Sequence, residues 1–187
     1  MFPKTMLENL RNATSEQHKA LEKDNLANKI MDHSISLEEY KRLLFQNYAA
    51  YAACEKEVKK FLPEQASNKY LKLKKDLEVL RVNVTETPLK FQCENKAEAI
   101  GAAYVLEGSA MGGMIIGKEV SFCDSLKTLP EQQFFNANRT NIKEWNNYLK
   151  FLRNREFSGK EIESAVKKAK ETFDLFEKAF KLEHVNY

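Results

Sequence analysis

The sequence predicts an all-α fold in a single domain, and three observations carry that reading. Six Gly and four Pro in 187 residues lie below the average usage of about 7% and 5%, against a turn-rich sandwich or barrel. Apolar residues recur at steps of three and four, the period of amphipathic helices. Two Ser-x-x-Glu capping boxes, Ser36 to Glu39 and Ser158 to Glu161, mark helix starts. At about 150 residues per domain the length corresponds to one domain over 1–187. A chain of this size buries roughly 70% of its unfolded surface, so no disulfide or metal staple is needed.

The elements follow in order. Leu7, Leu10, Ala13 or Thr14, Leu21 and Ile30 set a helix over 5–30. Ser36 opens a second, with a hydrophobic staple between Ile35 and Tyr40, running to about residue 61 before Pro63. Its inner face, which includes Tyr40, Tyr48 and Tyr51, is unusually aromatic. A third helix covers 64–81, and the β-branched stretch 82–93 reads as a connector. A fourth spans 97–118, followed by an irregular segment over 119–138 that carries Pro130 and Phe134-Phe135. A fifth covers 139–155 with Ile142, Trp145, Tyr148 or Leu149 and Leu152 inward; a last one starts at Ser158 and runs through Ala165, Ala169, Phe173, Phe176 and Phe180.

Charge and cysteine usage limit the function. Thirty Lys+Arg against 27 Asp+Glu give +3, too even a balance for a dedicated polyanion binder, so nucleic acid is disfavoured. Cys54, Cys93 and Cys123 are far apart, odd in number and without a C-x-x-C, which fits a reducing cytoplasm better than a disulfide framework or thiolate cage. No stretch of 18 uncharged apolar residues occurs and 1–11 lacks an apolar h-region, so neither membrane spanning nor secretion is supported.

The glycines are the most informative feature. Gly101, Gly108, Gly112, Gly113 and Gly117 fall in one 17-residue window of otherwise good helix formers. Five glycines inside helix cost on the order of 5 kcal/mol relative to Ala, comparable to a domain's net stability. Two readings stay open. Gly108/Gly112 and Gly113/Gly117 are small-x-x-x-small pairs suited to close helix packing. Alternatively, the helix bends over a flat ligand, with Gly112-Gly113 permitting the bend and the missing Cβ atoms letting backbone approach the ligand face. A phosphate loop is excluded, because Gly117-Lys118-Glu119 is not a Walker ending.

Of the three histidines, His18 lies four residues after Thr14 and three before Leu21, on the inward stripe of the first helix. It is either a satisfied core residue or a metal ligand. Glu22, at i+4, either orients that imidazole or pairs with Lys19 or Lys23. One His without E-x-x-H pairs or clustered Cys does not build a zinc or di-iron site, but one axial ligand suffices for heme, whose porphyrin supplies four donors. His33 reads as loop or cap chemistry and His184 as part of a frayed tail.

Two separate segments resemble one family. Ala13-Thr14-Ser15-Glu16-Gln17-His18-Lys19-Ala20-Leu21-Glu22 is similar to the proximal-helix pattern A-T-x-x-x-H-x-x-x-E of heme oxygenases. Tyr104-Val105-Leu106-Glu107-Gly108-Ser109-Ala110-Met111-Gly112-Gly113 resembles the Y-V-L-E-G-S/A-x-x-G-G distal helix of bacterial members, notably those that supply biliverdin to bacteriophytochromes. The segment Ile35 to Tyr40 and the A-x-x-T-F-x-x-F run from Ala169 to Phe176 agree, so the resemblance covers nearly the whole chain.

The resemblance implies a helical bundle with a kinked distal helix and heme held between that helix and the first one. His18 would be the neutral proximal ligand with Glu22 assisting, and Gly108, Ser109, Gly112 and Gly113 would face the other side. Thr14 and Tyr104 would lie beside the heme and Arg11 would pair with a propionate, with Arg153 and Lys150 as further basic candidates. The implied reaction opens heme to biliverdin, CO and ferrous iron with O2. Electrons would come from an external reductant such as ferredoxin or a flavin reductase, and a biliverdin-accepting phytochrome is an implied partner. The chain departs from the animal-type pattern at Ser109, where those enzymes carry an aspartate that organises distal water. That departure motivates the alternative of a heme carrier that does not degrade its ligand. A thiamin-salvage hydrolase or di-iron oxidase on a similar fold would want a Cys near the glycine helix or paired E-x-x-H ligands.

Overall fold

The computed structural model describes residues 4–65, 67–84, 86–136 and 138–183. Among them the helices are α1 (Met6–Lys23), α2 (Asn28–Met31), α3 (Leu37–Phe61), α4 (Lys69–Val79), α5 (Lys96–Gly108), α6 (Ala110–Val120), α7 (Thr140–Asn154) and α8 (Gly159–Ala179), and there is no strand. Three helices start at complete capping boxes: Thr5 with Glu8, Ser36 with Glu39, and Ser158 with Glu161. In each the hydroxyl accepts the Glu N–H and the carboxylate accepts the cap N–H. Those backbone donors hold the Glu8 and Glu161 carboxyls below their usual value.

The first helix ends at Lys23, seven residues before the periodicity predicts. Asn28 Nδ2 donates to the carbonyls of Glu22 and Lys23 at 3.0 and 3.2 Å, and Asn25 Oδ1 accepts the Ala27 N–H at 2.8 Å. These local side-chain bonds cap the helix and turn the chain, overriding the apolar period. The third predicted helix likewise divides into a 3-10 turn at Pro63–Gln65 and α4.

The predicted fourth helix also breaks, but at Ser109 (φ −75°, ψ −6°) and not at Gly112-Gly113. The Leu106 carbonyl there accepts from Ser109 Oγ at 2.9 Å and Lys69 Nζ at 2.6 Å. Side-chain donors at this one carbonyl accompany the kink, a recognised cause of helix bending. By length and composition alone, the Lys96–Val120 run could cross a membrane. Half of its most apolar window is buried in the protein, and several of the remaining residues line the cavity described below.

α3 forms the spine of the core, with Tyr40, Leu43, Leu44, Tyr51, Cys54 and Val58 almost wholly buried. Each fully buried Leu or Val contributes about 1.5–3 kcal/mol relative to exposure. α5 packs along α8, α8 on α1, and α4 on α3. α5 and α8 approach closely at Gly101, where a Cβ would lie 1.9 Å from the Ala165 carbonyl oxygen. After α6 the chain runs back to α4, where Asp76 accepts the N–H groups of Gln133 and Phe134 at 2.8 and 2.9 Å. Burial pushes the Asp76 carboxyl above its usual value, opposed by those two donors. The segment then presses on α6, with Asn136 backbone 2.5 Å from a Cβ built at Gly117.

Candidate functional site

A cavity of about 740 Å³ opens between α1 and the α5–α6 pair, within the roughly 300–1,000 Å³ typical of small-molecule sites. α7 adds Trp145, α8 adds Phe173 and Phe176, and the segment after α6 adds Phe134 and Phe135. These aromatic walls interlock: Tyr51 packs edge-on against Phe134 and Phe176, with ring centroids 5.5 and 5.2 Å apart. Such edge contacts suit a rigid, apolar lining.

On α1 the inward stripe runs Leu10, Thr14, His18. Leu10 and Thr14 are buried, whereas the His18 side chain is 54% exposed. The expected burial of His18 therefore does not hold: its position on the stripe does, but there the stripe leaves the core and becomes cavity wall. The His18 ring meets Phe173 edge-on at 6.0 Å, and its Nε2 lies 3.5 Å from Glu22 Oε1, an ion-pair separation longer than an ordinary hydrogen bond. Thr14 Oγ1 donates to the Leu10 carbonyl at 2.8 Å. α1 and α5 meet where Tyr104 reaches Thr14. Burial pushes the Tyr104 phenol up, opposed by the Thr14 hydrogen bond and the Arg11 charge.

The α6 wall answers the question about the glycines. At Gly112 and Gly113 an added Cβ would meet nothing within 4 Å, and both residues line the cavity. At Gly108 it would make ordinary contact with Trp145 at 3.6 Å. The absent Cβ atoms thus leave a flat strip of backbone facing open space, a cradle that accepts a planar ligand close to the helix. Just before it, Ser109 Oγ lies 2.6 Å from the Tyr51 hydroxyl. Burial raises the Tyr51 phenol well above its usual value, opposed by that bond, so it stays protonated at neutral pH.

Nine of the ten site residues proposed from sequence line this one cavity: Arg11, Thr14, His18, Glu22, Tyr104, Gly108, Ser109, Gly112 and Gly113. Arg153 is not among the lining residues and lies exposed on α7; Lys150 is likewise outside it. Asn138 and Asn141, by contrast, are at the cavity. The sequence reading missed Tyr51, Lys69 and Phe134 as site residues. The aromatic face of the second helix was the available signal for Tyr51, and nothing local marks Lys69. His33 takes a left-handed backbone (φ 60°) and bonds Glu119 at 2.7 Å, away from the cavity; His184 lies outside the described residues. Among the described residues no three His, Cys, Asp or Glu side chains gather as a metal cage.

The residues present suit a flat, iron-bearing macrocycle: one imidazole on the α1 wall, bare backbone on the α6 wall and aromatic sides between. Comparison with known proteins points the same way. The heme oxygenase family model matches residues 4–89 and 75–182. The heme oxygenase of Leptospira interrogans shares the fold, with a TM-score of 0.72 and 20% identity over 95% of this chain and 98% of that one. The heme oxygenase of Neisseria meningitidis superposes with a TM-score of 0.65 and 22% identity over 96% of this chain and 92% of that one. No curated protein matches the sequence. With the family pattern running through nearly all the described residues, the chain belongs to the heme oxygenase family, whose members bind heme and act as oxidoreductases.

Proposed function

We propose that this protein opens heme to biliverdin, CO and ferrous iron, using O2 and electrons from an external reductant such as ferredoxin or a flavin reductase. The observation that carries the reading is the pair Gly112-Gly113, whose missing Cβ atoms face open cavity while His18 stands on the α1 wall of the same space. Bound heme supplies the redox iron and is itself the molecule consumed. His18 would supply one imidazole nitrogen to the iron, with Glu22 beside its ring. Gly108, Gly112 and Gly113 admit the macrocycle close to backbone. Ser109, hydrogen-bonded to Tyr51, would supply a hydroxyl pair for holding water or a proton on that side. Arg11 would pair with a propionate, with Thr14 and Tyr104 lining the same cavity. The phenylalanines of the walls exclude bulk water from the ring. The three buried free thiols suit a reducing, cytoplasmic setting. Delivery of the product to a phytochrome-type acceptor is the partner relation that the Y-V-L-E-G-S segment favours.

Absence of a distal carboxylate at Ser109 favours, as a second reading, a protein that carries heme intact. One titration separates the two. Hemin is added to the purified protein while the Soret band is followed. Ascorbate or a reductase system is then supplied, with catalase as control. A one-to-one complex whose Soret band decays into a broad red biliverdin band is expected, with His18→Ala losing the native ligation. A stable complex that never reacts establishes carriage in its place, and absence of any Soret shift overturns both readings.

A further inference from the structure

Lys69, the first residue of α4, is 3% exposed and lines the cavity. Its ammonium donates to the Leu106 carbonyl at 2.6 Å, lies 3.5 Å from Glu107 Oε2 and sits 5.6 Å from the centre of the Tyr51 ring. Glu107 is itself 4% exposed, and its Oε2 has no hydrogen-bond partner among the described residues. A buried cation is costly to maintain, so this one invites the question of what it does at the helix break.

The answer lies in the hydroxyl of Ser109. A serine has one proton and two acceptor lone pairs. With the Ser109 proton directed to the Leu106 carbonyl, the buried, protonated Tyr51 phenol, 2.6 Å away, is the donor to Ser109 Oγ. The Ser109 proton then has two destinations: the Leu106 carbonyl, 2.9 Å away, or a ligand in the cavity. Turning it toward the cavity would orphan a buried carbonyl, which is unfavourable, unless a second donor already serves that oxygen. Lys69 is that donor.

We propose that Lys69 is a positioning residue: by donating to the Leu106 carbonyl at the α5–α6 break, it releases the Ser109 hydroxyl proton to hydrogen-bond a ligand on the open face of the site. The inference rests on the heme reading above, and it concerns how a chain without a distal carboxylate can still present a proton there.

Fluoride on the ferric hemin complex is the probe, because it is a small anionic acceptor whose affinity reports a donor above the iron. Affinity is read from the visible spectrum for wild type, S109A, K69R, K69M/E107Q and the triple variant. The double variant removes both members of the buried pair, so it leaves no unpaired charge, and such replacements are commonly tolerated; K69M/E107M is a second route if the first does not take up hemin. S109A and K69M/E107Q should each weaken fluoride by about tenfold, the loss of one hydrogen bond to a charged acceptor. The triple variant should be no weaker than either, and K69R should match wild type. Wild-type affinity in K69M/E107Q alongside a loss in S109A overturns the role of Lys69. Wild-type affinity in S109A overturns the idea that its proton reaches the cavity. Additive losses in the triple variant show Lys69 acting through charge and overturn it as well. Failure of the wild type to give a Soret complex is a separate outcome, which removes the heme reading and this inference with it.

Discussion

At Gly101 an added Cβ would lie 1.9 Å from the Ala165 carbonyl oxygen, and at Gly117 it would lie 2.5 Å from Asn136 backbone, whereas at Gly112 and Gly113 it would meet nothing within 4 Å. The same residue type in one apolar run therefore does two opposite things. The outer pair brings neighbouring chain segments against α5 and α6, and the inner pair keeps a cavity wall bare. Packing glycines stabilise the fold by what touches them. Cavity glycines lower the intrinsic stability of the helix, because each costs about 1 kcal/mol relative to Ala and gains no contact within the protein. The difference separates residues that hold the bundle from residues that serve a ligand, a distinction that spacing alone leaves open.

Alanine at each position turns the comparison into numbers of opposite sign. Gly101→Ala should have the largest effect, a loss of about 3 kcal/mol in urea unfolding, because the clash is with backbone of α8 and neither helix can yield locally. A loss under about 1 kcal/mol would mean that α5 and α8 slide freely and that Gly101 is not a packing device. Gly117→Ala should cost less, about 1–2 kcal/mol, since its neighbour lies in a connecting segment that can shift. Gly112→Ala and Gly113→Ala should instead raise the stability of the ligand-free protein by up to about 1 kcal/mol each. Both should weaken hemin binding by about tenfold, the equivalent of about 1.4 kcal/mol. Stabilisation without any change in hemin affinity would break the ligand-cradle reading while leaving the packing half of the comparison intact.

Much of this was legible in the sequence because the physics is local. Ser36, Ser158 and their glutamates announced helix starts that the structure reproduces, and the inward stripe of α8 is buried at Ala165, Ala169, Phe173 and Phe176 as the period predicts. Three glycines of the cluster, Gly108, Gly112 and Gly113, and the stripe bearing His18 reach the cavity. The kink was misplaced because one of the two donors that accompany it is not local. The Leu106 carbonyl is claimed by Lys69, 37 residues away in sequence, and no pattern around Gly112-Gly113 contains that information. Tyr51 and Phe134 were missed for the same reason: an aromatic on an inner face reads as core until the partner wall is known. His18 shows the converse limit, since a helical stripe reports which side faces inward but not whether protein or empty space lies there.

The smallest effect tests why Gly117 belongs with Gly101. Asn136, which presses on it, follows closely after Gln133 and Phe134, whose N–H groups are both held by Asp76. Asp76→Asn keeps one acceptor oxygen and loses the other, which loosens the segment. In that background the cost of Gly117→Ala should shrink by about 0.5 kcal/mol, a coupling of the size seen between groups that share one structural element. Strict additivity would show that Asn136 is held by something other than this anchor. The pH dependence supplies a second reading of the same carboxyl. Burial raises the Asp76 value above the ordinary 3.8, so the native state keeps the proton to higher pH than the unfolded chain. The stability linked to that proton is fully present below 3.8 and is lost as pH rises through the native value. Asp76→Asn should remove this share of the slope, so unfolding measured upward from pH 3.8 should show the wild type losing stability relative to the variant. A parallel pair of curves would mean that the Gln133 and Phe134 donors offset burial in full, and their hold on the carboxylate would then be tighter than a raised value implies.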